Sequence, residues 1–178
     1  EGVDASVLVR FTGHADATLA RWLNRMGNHS LAWHNHFFRD LIFTVLQIDE
    51  LYTRVRGIAS ARWLWLAIDP ASKAIPTLHV GGRTKPDAFA VVHDLKLRLA
   101  PGIIPAFTTD GLRNYFYALT AHFGTWFRPP RARKDHWKPS DDLHYGMLIK
   151  RKQRHRTTFT LTRMAFGRRD ALFNRLQQ

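Results

Sequence analysis

The chain has 178 residues, 45% of them hydrophobic and 12% aromatic, with no cysteine. That is enough apolar material to bury one domain plus a small appendage, which excludes a disordered tail, and the missing cysteines exclude a disulfide framework or a thiolate zinc site. A formal charge of +13 draws polyanions over a long range, placing nucleic acid first among partners and a membrane surface second.

Residues 4 to 27 read as two short helices, Ala5 to Phe11 and Asp16 to Met26, with a turn at Thr12-Gly13-His14-Ala15 and Gly27 as a helix stop. Val7, Leu8 and Phe11 are expected to face Leu19, Trp22 and Leu23. So short a pair must dock on a third helix, such as Ser30 to Arg39, or on a partner, and an ordinary helical hairpin is the plain alternative. If Asp16 to Met26 is a recognition helix, then Thr18, Arg21, Asn24 and Arg25 face a DNA groove.

After Phe43 the pattern turns to β: Val45 to Val55, Trp63 to Ile68 and Ala74 to Val80, with connections short enough for an antiparallel meander. Thr84, Pro86 and Asp87 then mark a helix start, Phe89, Val92, Leu95 and Leu99 recur at helical spacing, and Pro101-Gly102 stops the helix. Ile103 to Thr109 is the fourth strand, and the crossover lets it return beside the first and parallel to it. Leu112, Tyr115, Phe116, Leu119 and Phe123 mark the next helix, closed by Gly124.

Between Arg128 and Arg169 there are thirteen Lys or Arg against three acids, so most of the net charge is concentrated there. Prolines make the first part irregular. Tyr145 to Lys152 and Arg156 to Phe166 then read as a hairpin with Lys150, Arg151, Lys152, Arg154 and Arg156 at its tip, suited to a phosphate backbone. Trp126, Phe127, Trp137 and Tyr145 are nearby stacking or packing surfaces. Arg168 to Leu176 begins a final helix. No apolar run approaches the roughly 20 residues that cross a bilayer, so the expectation is a soluble, cytoplasmic protein without a membrane partner.

The acids with the clearest chemical meaning are Asp49 and Asp110, each on or at the end of an apolar stretch where an unpaired carboxylate is costly. Hard divalent ions take carboxylate oxygens of this kind, and two metals side by side clamp the attacking and leaving oxygens of a displacement at phosphorus. The plain alternative is a helix cap for Asp110 and a solvent-facing strand acid for Asp49. Glu50 points away from Asp49 if the strand is regular, and Asp69 is most simply a turn residue. His34 with His36, and His14 with His29, lack a second cluster at ligand spacing, which favours structural or surface roles.

Several segments together resemble one family. They are Val7 to Gly27, Gln47-Ile48-Asp49-Glu50-Leu51, Trp63 to Asp69, Gly82-Arg83-Thr84, and Thr109-Asp110-Gly111 followed by Tyr115. In this order and spacing the chain resembles the insertion-sequence-one type of bacterial transposase, whose enzymes use two aspartates and a glutamate on a ribonuclease-H-like fold. The resemblance implies an α/β fold: a mixed sheet of three antiparallel strands and then a parallel one, flanked by helices, with a small amino-terminal helix-turn-helix. It divides the chain into a DNA-binding region and linker helix over 1–43 and a catalytic domain over 44–178, with the basic hairpin as an insertion over 128–167.

It further implies that Asp49 and Asp110 are the first two catalytic acids, holding Mg²⁺ or Mn²⁺, and that water and then a 3′-hydroxyl attack a phosphodiester. The implied partners are double-stranded DNA, as transposon ends and target, and further copies of the chain in a dimer or higher multimer; the implied location is the bacterial nucleoid. The family's third acid lies on a helix after the basic hairpin, in a Glu-x-x-Asn-like setting that this sequence does not contain. The chain as it stands is therefore expected to bind DNA and to cleave it poorly. A DNA-binding or inhibitory fragment, or a basic RNA-binding protein, are the alternatives.

Overall fold

A computed structural model describes residues 4–53, 62–153 and 156–177, without the side chains of Ala5 and of 149–162. Two units emerge, divided between Arg39 and Asp40.

The first unit contains helix α1 (Ala5–Thr12) and helix α2 (Asp16–Phe37). Asp4 caps α1, its carboxylate accepting the Ser6 N–H at 3.0 Å, and Gly13 ends it with φ 72°, a left-handed angle that glycine adopts without a Cβ clash. The expected stop at Gly27 does not form: α2 runs straight through it, and the separate third helix over Ser30 to Arg39 is absorbed into the same 22-residue helix. Gly27 is absent from the positive-φ glycines. A glycine ends a helix only where the backbone turns left-handed; elsewhere it costs the helix about 1 kcal/mol, which favourable neighbours offset. The expected packing is also thinner than read, because Leu19 is buried while Phe11, Trp22 and Leu23 are exposed.

The second unit is built on strands β1 (Val45–Thr53), β2 (Arg62–Ile68), β3 (Thr77–Gly81), β4 (Ala106–Thr109), β7 (Tyr145–Gln153) and β8 (Arg156–Phe166). They form one mixed sheet in the order β3-β2-β1-β4-β7-β8. The first three are antiparallel neighbours; β4 then pairs with β1 in parallel, and β7 with β4 in parallel. Helices α3 (Lys85–Arg98), α4 (Arg113–His122) and α5 (Arg169–Leu176) flank it, and β5 (Gly124–Phe127) pairs with β6 (His136–Pro139) in a separate ribbon.

Alternation assigns the faces. Leu46 and Ile48 of β1, with Trp65 and Ala67 of β2, point into a core closed by Val91, Val92 and Leu95 of α3 and by Tyr115 and Leu119 of α4. Val45 and Ala106 point the other way, onto Leu172 of α5. The basic hairpin forms as β7 and β8 and is woven into the main sheet through β4. Of the small ribbon, β6 lies in the stretch after Arg128 that the sequence reads as irregular, and β5 directly precedes that stretch. Gly124, read as a helix stop, begins a strand there, and a Cβ on it would overlap the Lys138 carbonyl and the Trp137 ring. Among the described residues no helix is long and apolar enough to cross a membrane.

The start of α3 is tied to β3 by Asp87. Its carboxylate meets His79 Nε2 at 2.9 Å and the Thr84 hydroxyl at 2.5 Å. Partial burial opposes its charge, but the Thr84 and His79 hydrogen bonds prevail and hold the carboxyl below its usual range. A depressed folded-state pKa contributes stability that is complete above the unfolded value of about 3.9 and is lost as pH falls through the folded one. Asp87→Asn is accordingly expected to lower the melting temperature near pH 6, with the difference from the parent shrinking below about pH 4. Equal differences at both pH values in thermal denaturation would contradict this role. Gly81→Ala should weaken the same corner by about 1–3 kcal/mol in urea titration, since a Cβ there overlaps the Asp87 carboxylate and strips its hydrogen bonds.

Candidate metal centre

Asp49 and Asp110 are brought together by the parallel ladder. Its last pair is Gln47 with Thr108, and two residues further on Asp49 and Asp110 come level, on the face that residues i and i+2 share. One carboxylate oxygen from each of Asp49, Glu50 and Asp110 lies within 4.8 Å of the others. Asp110 is exposed, Asp49 half-buried and Glu50 buried.

Each aspartate is oriented by a backbone amide. Asp49 Oδ1 accepts the Glu50 N–H at 2.9 Å, which draws the short side chain back along its strand. Asp110 Oδ1 accepts the Leu112 N–H at 3.0 Å, just ahead of α4. The helix-cap alternative for Asp110 does not form: Leu112 is the N-cap residue of α4 and receives no side-chain cap bond, while Asp110 engages one of its two oxygens in the turn ahead of the helix. The turn into Asp110 is held by Thr109, whose hydroxyl lies 2.9 Å from the Tyr145 hydroxyl and accepts the Gly111 N–H at 3.1 Å. Gly111 has φ 94°, where a side chain would be strained. Burial pushes the Tyr145 phenol up to about 12, so it remains a neutral partner at physiological pH.

Glu50 is a different kind of acid. The burial alternation of β1 turns it into the core face with Leu46 and Ile48, as a regular strand requires, and its carboxylate still reaches the cluster. Its side chain is 1% exposed and is met by Arg83, with Nε at 3.0 Å and Nη2 at 2.6 Å from Oε1. Tyr115 donates its hydroxyl to Oε2 at 2.8 Å. Burial, followed by the charge of Glu50, drives the Tyr115 phenol far above its ordinary value, which keeps it a donor. The Arg83 guanidinium lies 4.7 Å from the centroid of the Trp63 ring, and Trp65 Nε1 donates to the Gly82 carbonyl at 2.8 Å, fixing the segment that carries Arg83. Glu50 is thereby neutralised in place by a cationic partner.

The donor set fits a hard cation. Two aspartates just past the end of the β1–β4 ladder, one half-buried and one exposed, offer the oxygen ligands that Mg²⁺ or Mn²⁺ takes. Among the described residues this is the one acidic or histidine-containing group of three at ligand spacing. The paired histidines make ring contacts: His14 with Trp22, His29 with Trp33, His34 with Phe38 and His36 with Phe37. Asp69 holds a turn, accepting from the Ser72 N–H at 3.0 Å.

Thr18, Arg21, Asn24 and Arg25 lie along α2, with Thr18 half-buried and the other three exposed. Lys150, Arg151 and Lys152 sit on β7 and Arg156 on β8, where Lys152 pairs with Thr157 and Gln153 with Arg156 through the backbone; their side chains, and Arg154 altogether, lie outside the described residues. Of the aromatic side chains near this segment, Trp126 and Trp137 pack edge to face across the small ribbon, and Tyr145 is buried. On α5, the helix after the hairpin, Asp170 pairs with Arg168 at 2.6 Å.

Sequence reasoning placed Asp49 and Asp110 as a pair and missed Arg83 and Tyr115 as the partners of Glu50. The available signal was the strand acid itself, since a buried carboxylate demands a cation and a donor. Tyr115→Phe removes one donor from a buried carboxylate and should cost about 1–3 kcal/mol in chemical denaturation. Arg83→Ala removes the counter-charge and should cost more than Tyr115→Phe; the reverse order would mean that Glu50 does not depend on Arg83.

Compared with known proteins, the sequence matches no family model and no curated protein.

Proposed function

We propose that the chain binds Mg²⁺ or Mn²⁺ between Asp49 and Asp110 and engages the phosphodiester backbone of double-stranded DNA, as a domain of the ribonuclease-H-like transposase type whose cleavage and strand transfer are impaired, since among the described residues no free third acid joins the pair. The observation that carries this reading is the meeting of the two carboxylates, within 4.8 Å, at the open end of a parallel strand pair. Supporting it are the strand order, with three antiparallel strands followed by a parallel fourth beside the first, and the charge of +13. Exposed Arg21 and Arg25 on α2 are suited to DNA phosphates.

Two carboxylates repel a phosphodiester unless a cation stands between them, so an anionic backbone at this site requires the ion. When bound, such an ion lowers the pKa of its water and neutralises charge developing at phosphorus. The chain's own residues supply the rest. Asp49 and Asp110 offer oxygens, Thr109 and Tyr145 hold the turn that aims Asp110, and Arg83 with Tyr115 keeps Glu50 from competing for the ion.

A second reading is DNA occupancy without cutting, by the chain alone or paired with an active transposase. One observation favours it: among the described residues the third acid of the cluster is Glu50, both of whose oxygens are engaged. A basic RNA-binding protein is a third reading, and it requires neither aspartate.

Electron paramagnetic resonance of added Mn²⁺ tests the proposal. The parent chain should bind Mn²⁺, and Asp49→Asn or Asp110→Asn should weaken binding by more than the roughly 10–100-fold that outer-shell partners cost. Equal binding by parent and variants refutes the site. Mn²⁺-dependent nicking of plasmid DNA, lost in Asp49→Asn, supports catalysis; metal binding without nicking selects the second reading.

A further inference from the structure

A cavity of about 530 Å³ opens beside Gly111, the residue after Asp110. Arg113, Phe116 and Tyr117 of α4 line one side, and Met147 and Arg163, from β7 and β8, line the other. Among the described residues no carboxylate lines it and neither arginine is held in an ion pair. Both arginines are exposed, whereas Phe116, Tyr117 and Met147 are half-buried.

The walls are firm. Phe116 stacks on Phe166 with centroids 5.2 Å apart and ring planes 19° from parallel. The Tyr117 ring has the Lys85 ammonium at 4.7 Å and the Arg113 guanidinium at 5.5 Å from its centroid. An apolar ligand has no use for two unneutralised guanidinium groups at the rim, and a bare phosphate has no use for an aromatic wall. A ligand carrying both an anion and a flat ring uses all of it, and the volume falls in the range of small-ligand pockets.

We propose that this cavity receives one unpaired nucleotide of the DNA strand, next to the phosphate engaged at Asp49 and Asp110, with Arg113 and Arg163 on the phosphate and the base against Tyr117 and Phe116. Its placement beside the scissile phosphate rests on the metal-centre reading above; the stacking of the base does not. A base inside a duplex cannot reach these rings, so the substrate class is a strand that is frayed, flipped or single-stranded beside the cut.

The test is made in EDTA, which keeps the metal centre out of the measurement. The full chain is titrated with a short fluorescent oligothymidylate and with the same sugar-phosphate backbone lacking bases. The parent should bind the base-bearing strand about 5-fold or more tightly, as one base stacked on an aromatic side chain provides. Tyr117→Ala should abolish that preference and Tyr117→Phe should keep it, whereas Arg163→Gln should weaken both ligands and reduce the salt dependence by about one phosphate contact. A 5-bromouracil oligonucleotide irradiated with the parent chain should cross-link to Phe116 or Tyr117. Equal affinity for the two ligands, a preference undiminished in Tyr117→Ala, or an adduct mapping elsewhere, such as Trp126 or Trp137, overturns the proposal. Loss of the metal reading shows separately: Asp49→Asn would then leave Mn²⁺ binding unchanged while the base preference persists.

Discussion

The parallel pairing of β1 with β4 is the constraint on which the rest depends. Val45, Leu46 and Gln47 are locked to Ala106, Phe107 and Thr108, and apolar residues on both faces leave this register no freedom. A slip by one residue would drive Leu46 and Phe107 out of one core and Val45 and Ala106 out of the other. Asp49 and Asp110 are therefore held level by hydrophobic burial at a distance from them. The site inherits its geometry from the core.

That geometry carries an electrostatic cost. Three acids with oxygens within 4.8 Å of one another repel, the more so where solvent screening is weak. Arg83 and Tyr115 absorb one of the three charges by satisfying Glu50. The remaining repulsion, between Asp49 and Asp110, is the kind that a divalent ion relieves. The neighbouring cavity carries the opposite sign, with Arg113 and Arg163 on its rim. An acidic centre and a cationic, aromatic cavity that share the Asp110-Gly111 turn are the basis on which we propose a metal ion beside a nucleotide.

Much of this was legible in the sequence because strands announce themselves by alternation and length. The three-strand meander, the crossover helix over Lys85–Arg98 and the hairpin of β7 and β8 all follow from apolar spacing and short connections. Gly27 was misleading because a glycine marks a helix end only through a left-handed angle, which composition does not reveal. The ribbon of β5 and β6 was hidden by Pro129, Pro130 and a high density of charge, and its close approach at Gly124 depends on Trp137, which lies beyond them. The partners of Glu50 were out of reach for a different reason. Arg83 and Tyr115 lie 33 and 65 residues away along the chain, and no local pattern links a buried acid to such distant partners. The cavity likewise exists only once α4 packs beside β7 and β8.

The most direct test of the central claim is anomalous diffraction from crystals of the chain grown with Mn²⁺. The account predicts an anomalous peak bridging the carboxylates of Asp49 and Asp110, with Glu50 still bonded to Arg83 and Tyr115. Anomalous density elsewhere and none between the two aspartates would contradict it.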